Sequence, residues 1–226
     1  MRNMLNPAFH TRVLQNYMKK FNTGAEKLVD KMKISVNKPW TNLEPLFGES
    51  ALCILCDSVF EKKQNDQEIQ AAMHAWKEMS EISATRIFRP WTFNNTIFNL
   101  TSEGRKFRKA KETFDKFSQK VINEKMESML AERANENKIQ ETHECNISRK
   151  KVCTFLEILL ECHLHDPTLT LEDVLNEVNT FMAAGHVTTA AALNWIIYML
   201  GLLPEVQEKV VEELNCIFRD DIHRAT

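Results

Sequence analysis

Apolar residues recur three and four positions apart along most of this chain, and strict alternation with polar residues is rare. That period predicts helices and argues against half-buried strands. Residues 1–36 predict two helices. Met4, Leu5, Phe9, Val13, Leu14 and Tyr17 mark the first, and Phe21, Ala25, Leu28, Val29 and Met32 the second. Pro39-Trp40-Thr41-Asn42 breaks the pattern. Leu46 to Phe60 reads as a buried helix. Asp66 to Ile87 reads as an amphipathic one, with Ile69, Met73, Trp76 and Met79 on one stripe, and it ends at Pro90 and the Asn94-Asn95 pair.

Residues 102–134 predict a long charged helix whose Phe107, Ala110, Phe114, Phe117 and Val121 share a face. The face fits a helix laid across a larger body better than a coiled-coil seam, because only two heptads hold and Phe is unusual in a seam. Residues 133–150 are polar and turn-rich and read as a mobile loop. Lys151 to His163 predicts a short apolar helix stopped by Asp166-Pro167. Thr170 then caps the main helix, with Asp173 three residues on as a variant capping box. This helix runs over about 170–203, roughly 50 Å long. Pro204 ends it and opens the next, Glu205 to Phe218.

Composition narrows the fold class to all-α. Five glycines and six prolines in 226 residues are too few for the tight turns of a sheet-rich fold. A net charge of -2 with acids and bases interleaved offers no nucleic-acid surface. Cys53 and Cys56 form a C-x-x-C inside an apolar helical pattern with no second pair at zinc spacing, so they read as buried thiols. The sequons at Asn94, Asn99 and Asn146 read as accidental. No signal peptide opens the chain, which is expected to start partway through a larger protein.

Chemistry is expected in the main helix. No Asp, Glu, Lys or Arg lies between Glu177 and Glu205, yet Thr188 and Thr189 sit in that run one turn beyond Gly185. Hydroxyls in an apolar run are unfavourable without a partner or a use. The length would span a bilayer, but Asn179, His186, Thr188 and Asn194 are dense for lipid and the flanks are acidic, so a helix buried on all sides within a large domain is expected instead. Glu177, Phe181, Ala184, Thr188, Ala191/Ala192 and Trp195 share one face. Its middle is narrow, and a flat object could approach the backbone there; the ladder could also loosen at Gly185 and Thr188. Spacing alone favours ordinary tight packing against small residues.

Ala184-Gly185-His186-Val187-Thr188-Thr189 resembles the A-G-x-[D/E]-T-T motif of the cytochrome P450 monooxygenases. The flanking Glu177-Val178-Asn179-Thr180-Phe181-Met182 and Leu203-Pro204-Glu205-Val206-Gln207-Glu208 are similar to family 4, the fatty-acid ω-hydroxylase branch. So are Arg2-Asn3-Met4-Leu5-Asn6-Pro7 and Ile97-Phe98-Asn99-Leu100-Thr101. The likeness covers essentially the whole chain and implies one partial domain over 1–226, the helical half of the fold from about helix C to helix J.

The resemblance further implies a haem b cofactor. Ala184 and Gly185 would lie against its face, and Thr188 would be the catalytic threonine that hydrogen-bonds dioxygen and routes protons to it. Arg2 would partner a propionate. His186 would face away from the iron. It also implies O2 as co-substrate, a fatty acid or related lipid as substrate, and NADPH electrons through a flavoprotein reductase. The setting would be the cytosolic face of the endoplasmic reticulum membrane, with an N-terminal anchor that is not in this chain. Two residues depart from the pattern. Val187 replaces the proton-relaying acid. Ala184 stands where many family-4 members carry a glutamate esterified to haem, so haem would be held non-covalently. No Cys here is followed two residues later by Gly, as the thiolate loop needs, and no Glu-x-x-Arg occurs. This chain alone is therefore expected to be inactive. The alternative is a non-catalytic helical product of a truncated isoform, pseudogene or incomplete gene model.

Overall fold

The computed structural model describes residues 5–61, 65–140 and 154–218. Among them every regular element is helical. A short 3-10 turn at Asn6–Phe9 leads into α1 (Thr11–Lys33), followed by α2 (Glu44–Val59) and α3 (Asp66–Ile87). A second 3-10 turn, Pro90–Phe93, and the short α4 (Asn95–Leu100) precede α5 (Ser102–Gln140). Then come α6 (Phe155–His165), α7 (Leu171–Leu202) and α8 (Pro204–Phe218).

Two expectations about boundaries change. The pair of helices expected within residues 1–36 is instead the 3-10 turn and the single helix α1, and Gly24 lies inside α1 where it crosses α2. A Cβ built there would fall 2.3 Å from Ile54 Cγ1. The helix expected to end at 134 continues to Gln140, so the first eight positions of the expected loop 133–150 are helical. The rest of that loop lies outside the described residues.

The Asn94-Asn95 pair ends one helix and starts another. Asn94 Oδ1 accepts the amides of Thr96 (2.9 Å) and Ile97 (3.4 Å) as the cap of α4. Arg86 holds this corner by donating from Nε to the Thr92 carbonyl (2.9 Å) and from Nη2 to Asn95 Oδ1 (2.9 Å).

The core forms where α2 packs on α7, α3 on α5 and α1 on α2. The shared face of α5 is packing surface and not a free seam. Phe114, Phe117 and Val121 are buried, and Phe114 meets Trp76 of α3 at 5.5 Å between ring centroids. Phe155 opens α6 at the centre of an aromatic cluster, 4.1 Å from Phe181 of α7 and 6.2 Å from Phe60. A charged cluster reaches into this core. Lys125 Nζ sits 2.8 Å from both Glu157 and Glu61, and Glu157 also accepts the Thr154 amide at 2.9 Å, capping α6. Burial opposes the Lys125 charge, but the two carboxylates outweigh it and raise its pKa.

Three glycines bring other helices close to α2. Besides Gly24, a Cβ at Gly48 would lie 2.6 Å from Met73 of α3, and one at Gly185 of α7 would lie 3.0 Å from Leu55. Each marks a place where a missing side chain makes room for a neighbour's.

Candidate functional site

The site is built on α7, which begins as expected. The Asp173 amide donates to Thr170 Oγ1 (3.1 Å), and the Thr170 amide donates to Asp173 Oδ2 (2.9 Å). Hydrogen bonds from Thr170 hold the Asp173 carboxyl below its ordinary value. The helix then runs unbroken through Gly185 and Thr188. No loosened ladder occurs there, because both threonines satisfy themselves along the helix. Thr188 Oγ1 donates to the Ala184 carbonyl (2.6 Å) and Thr189 Oγ1 to the Gly185 carbonyl (2.7 Å). That back-bonding removes the penalty of an unpaired hydroxyl and leaves the oxygen lone pairs of Thr188 free to accept.

Among the described residues α7 is two-faced. Val174, Val178, Met182, Ala183, His186 and Ala190 are buried. Ala184, Thr188, Ala191, Ala192 and Trp195 are exposed together on the other side. The second half of the helix, expected to be buried within a large domain, is open on this side in the 226-residue chain. The chain turns at Leu203–Pro204. There α8 leaves at 109° and covers nothing behind it. Ile196, Tyr198 and Leu202 of α7, with Val211, Leu214 and Ile217 of α8, stay 47–61% exposed. No single described helix is long and apolar enough to cross a membrane; α7 and α8 reach that composition only as this bent pair.

The structure brings Ala184 and Thr188 together and separates the other candidates from them. Gly185 points its missing side chain at Leu55, so it packs α7 onto α2, a different place from the open face expected for it. Phe181 is half-buried and held in the aromatic cluster by Phe155 and Phe9, so the open face starts at Ala184. Arg2 lies outside the described residues. Val187 is 40% exposed and carries no group that could move a proton.

His186 turns to the buried side. Its ring meets Trp76 edge-on at 6.2 Å, and Nδ1 lies 2.6 Å from the Met182 carbonyl. Burial lowers its pKa, which keeps the imidazole neutral, so Nδ1 carries the proton. The Trp76 contact was not visible in the sequence, where Trp76 belonged only to an apolar stripe.

A flat cofactor fits the open face in shape. Alanine and threonine leave the α7 backbone approachable, and the Thr188 oxygen stands on that surface. A sulfur ligand is not found on it. The described cysteines are Cys53 and Cys56 on α2, Cys162 on α6 and Cys216 on α8. Burial pushes the Cys53 thiol up to about 11 and the Cys56 thiol further, so both are poor thiolates. Among the described residues no cluster of His, Cys, Asp or Glu could hold a metal ion.

Comparison with known proteins finds relatives over the whole length of the chain. A family profile described as Cytochrome P450 matches residues 1–225. Cytochrome P450 4c3 of Drosophila melanogaster is 32% identical over 229 residues, covering 97% of this chain and 42% of that protein. Cytochrome P450 4V2 of Homo sapiens is 33% identical, covering 100% and 43%. Cytochrome P450 4F1 of Rattus norvegicus is 31% identical, covering 97% and 41%. The chain thus spans about two-fifths of the length of these curated relatives. With a family match from end to end, these relatives drawn from family 4, and a helical frame that presents the Ala184–Thr188 turn on an open face, this chain belongs to the cytochrome P450 family and is family-4-like.

Proposed function

We propose that this chain forms the oxygen-side wall of a haem monooxygenase that acts on a fatty acid or related lipid, with O2 as co-substrate and NADPH electrons from a reductase. The supporting observation is the exposed Ala184–Thr188 turn in a chain of this family. When bound, haem supplies the oxygen activation that inserts one atom into a C–H bond. The chain's own part is positional. Ala184 is small enough to let the ring lie close to the α7 backbone. It has no carboxylate to esterify, so haem is held non-covalently, and Arg2 is the proposed partner of a propionate. The Thr188 hydroxyl is fixed by its bond to the Ala184 carbonyl, and its lone pairs face the open side as an acceptor for an incoming proton or water. Val187 relays nothing, so proton supply depends on water reaching Thr188. The proposed setting is the endoplasmic reticulum membrane.

The test joins this chain to its own downstream coding sequence and expresses the product with a reductase. A thiolate-type CO difference spectrum and a hydroxylated fatty acid by mass spectrometry are expected, while the 226-residue chain alone gives neither. Replacing Val187→Asp restores an acid beside Thr188. It is expected to raise product formed per NADPH consumed by roughly ten- to a hundredfold, within the usual range of proton-transfer assistance. If the extended product lacks the thiolate spectrum and hydroxylates nothing, the enzymatic reading fails and the non-catalytic alternative stands.

A further inference from the structure

α2, α3 and α7 wall a half-open cavity of about 810 Å³, within the range that takes small organic ligands. Ala184 and Thr188 do not line it, whereas Ala191 and Trp195 do, so it opens at the far edge of the exposed α7 face, away from the Ala184–Thr188 turn. Its walls are apolar and aromatic, formed by Trp76 and Met73 of α3 and Val187, Ala190, Ala191 and Trp195 of α7.

The two polar groups on the inner wall, His186 and Asn194, each leave an acceptor. His186 lines the cavity with Nδ1 already committed to the Met182 carbonyl, so Nε2 keeps a lone pair. Asn194 donates Nδ2 to the Ala190 carbonyl at 3.1 Å, which leaves its Oδ1 as an acceptor. Gln70, His74 and Ser80 lie on the exposed rim and place no buried donor inside. The charges at the wall are matched. Glu49 is held by Lys31 at 2.6 Å, and Glu44 lies 3.9 Å from Lys77. Nothing there favours a ligand's charge, and the inner acceptors call for a donor. Burial keeps His186 neutral, so it accepts and does not repel.

We infer that this cavity binds an uncharged aromatic molecule carrying one O–H or N–H donor, held between Trp76 and Trp195 with its donor on His186 Nε2. Phenols and N–H heterocycles are the matching class. The aromatic body gains contact on the indole faces, and the single donor satisfies the buried acceptor. This inference does not depend on haem, and its failure leaves the proposed function untouched.

Calorimetric titration of the 226-residue chain with 2-naphthol tests it, with 2-methoxynaphthalene as the same body without a donor and 2-naphthoate as a charged counterpart. 2-Naphthol is expected to bind about tenfold more tightly than the methyl ether, as loss of one hydrogen bond implies, and naphthoate more weakly than either. His186→Phe keeps a ring but removes the acceptor, and it is expected to erase the difference between naphthol and its ether. Ala191→Trp, at an exposed position on the cavity wall, fills the space and is expected to abolish binding without changing the far-ultraviolet circular dichroism. Binding that survives Ala191→Trp, or equal affinity for all three probes, overturns the inference, because the ligand would then lie on the exposed apolar face of α7 and α8.

Discussion

Replacing Gly185→Val tests the assignment of this glycine to the α2 interface. A bare Cβ there already sits 3.0 Å and 3.1 Å from the two terminal methyl carbons of Leu55 and 3.6 Å from its Cγ. Ordinary carbon contacts run at about 3.5–4.0 Å, so the first carbon alone displaces Leu55 by several tenths of an ångström. Two γ-methyls in the one rotamer a helix allows enlarge the overlap. Overpacking of this size destabilises by about 2 kcal/mol, and the better helix propensity of valine offsets only a few tenths. Leu55→Ala alone is expected to destabilise by about 2 kcal/mol, the low end for leucine because Leu55 is half-buried. In the Leu55→Ala background the valine enters vacated space and its penalty vanishes. The expected coupling is therefore about 2 kcal/mol, read as a difference of order 1 M in urea midpoint by circular dichroism at low protein concentration. If Gly185→Val has the same effect whether residue 55 is leucine or alanine, α7 does not meet α2 at this glycine and the packing assignment is wrong.

Other expected outcomes concern the core, the buried charges and the exposed face. Phe155→Ala, at a fully buried ring, should lower unfolding free energy by about 3–5 kcal/mol in the same urea assay. Lys125→Met leaves Glu157 and Glu61 without their shared ammonium and should lower it by about 3 kcal/mol at neutral pH. Because the folded-state pKa of Lys125 is raised, its contribution is intact below the ordinary lysine value of about 10.4; it declines as pH rises through the shifted value, and a variant with methionine should lose that alkaline dependence. His186 has the opposite sign. Its folded pKa is depressed, so the unfolded chain takes up the proton first, and stability should fall as pH drops below about 6.5; His186→Phe should flatten that slope between about pH 7 and 5. The open apolar surface of α7 and α8 should drive self-association of the 226-residue chain, and Val211→Glu with Leu214→Glu should shift its sedimentation toward monomer.

Most of the frame could be read from side-chain periodicity. The bounds Asp66–Ile87, the Thr170 cap and the Pro204 restart follow local rules that tertiary contacts did not override. What escaped the reading was set by partners distant in sequence. The close crossing of α1 over α2 at Gly24 depends on Ile54 of another helix and left no local mark. α4 was hidden because its cap, Asn94, also ends the preceding segment. For the site, the small-residue turn at Ala184 and the hydroxyl at Thr188 were legible from the motif. The side to which Gly185 points was not, since it depends on where α2 lies. His186 against Trp76, and the cavity beside them, depend on three helices meeting and leave no local signature.

The glycines facing Ile54, Met73 and Leu55 have a mechanical consequence for the bundle. Each absent side chain is matched to one particular bulky neighbour. Sliding any of these helices lengthwise by a single residue would put a real side chain where a notch now stands. All three notches lie at contacts with α2 or its neighbours and favour the observed axial alignment, so the height at which Thr188 stands in the bundle follows from steric fit between helices and not from its own hydroxyl.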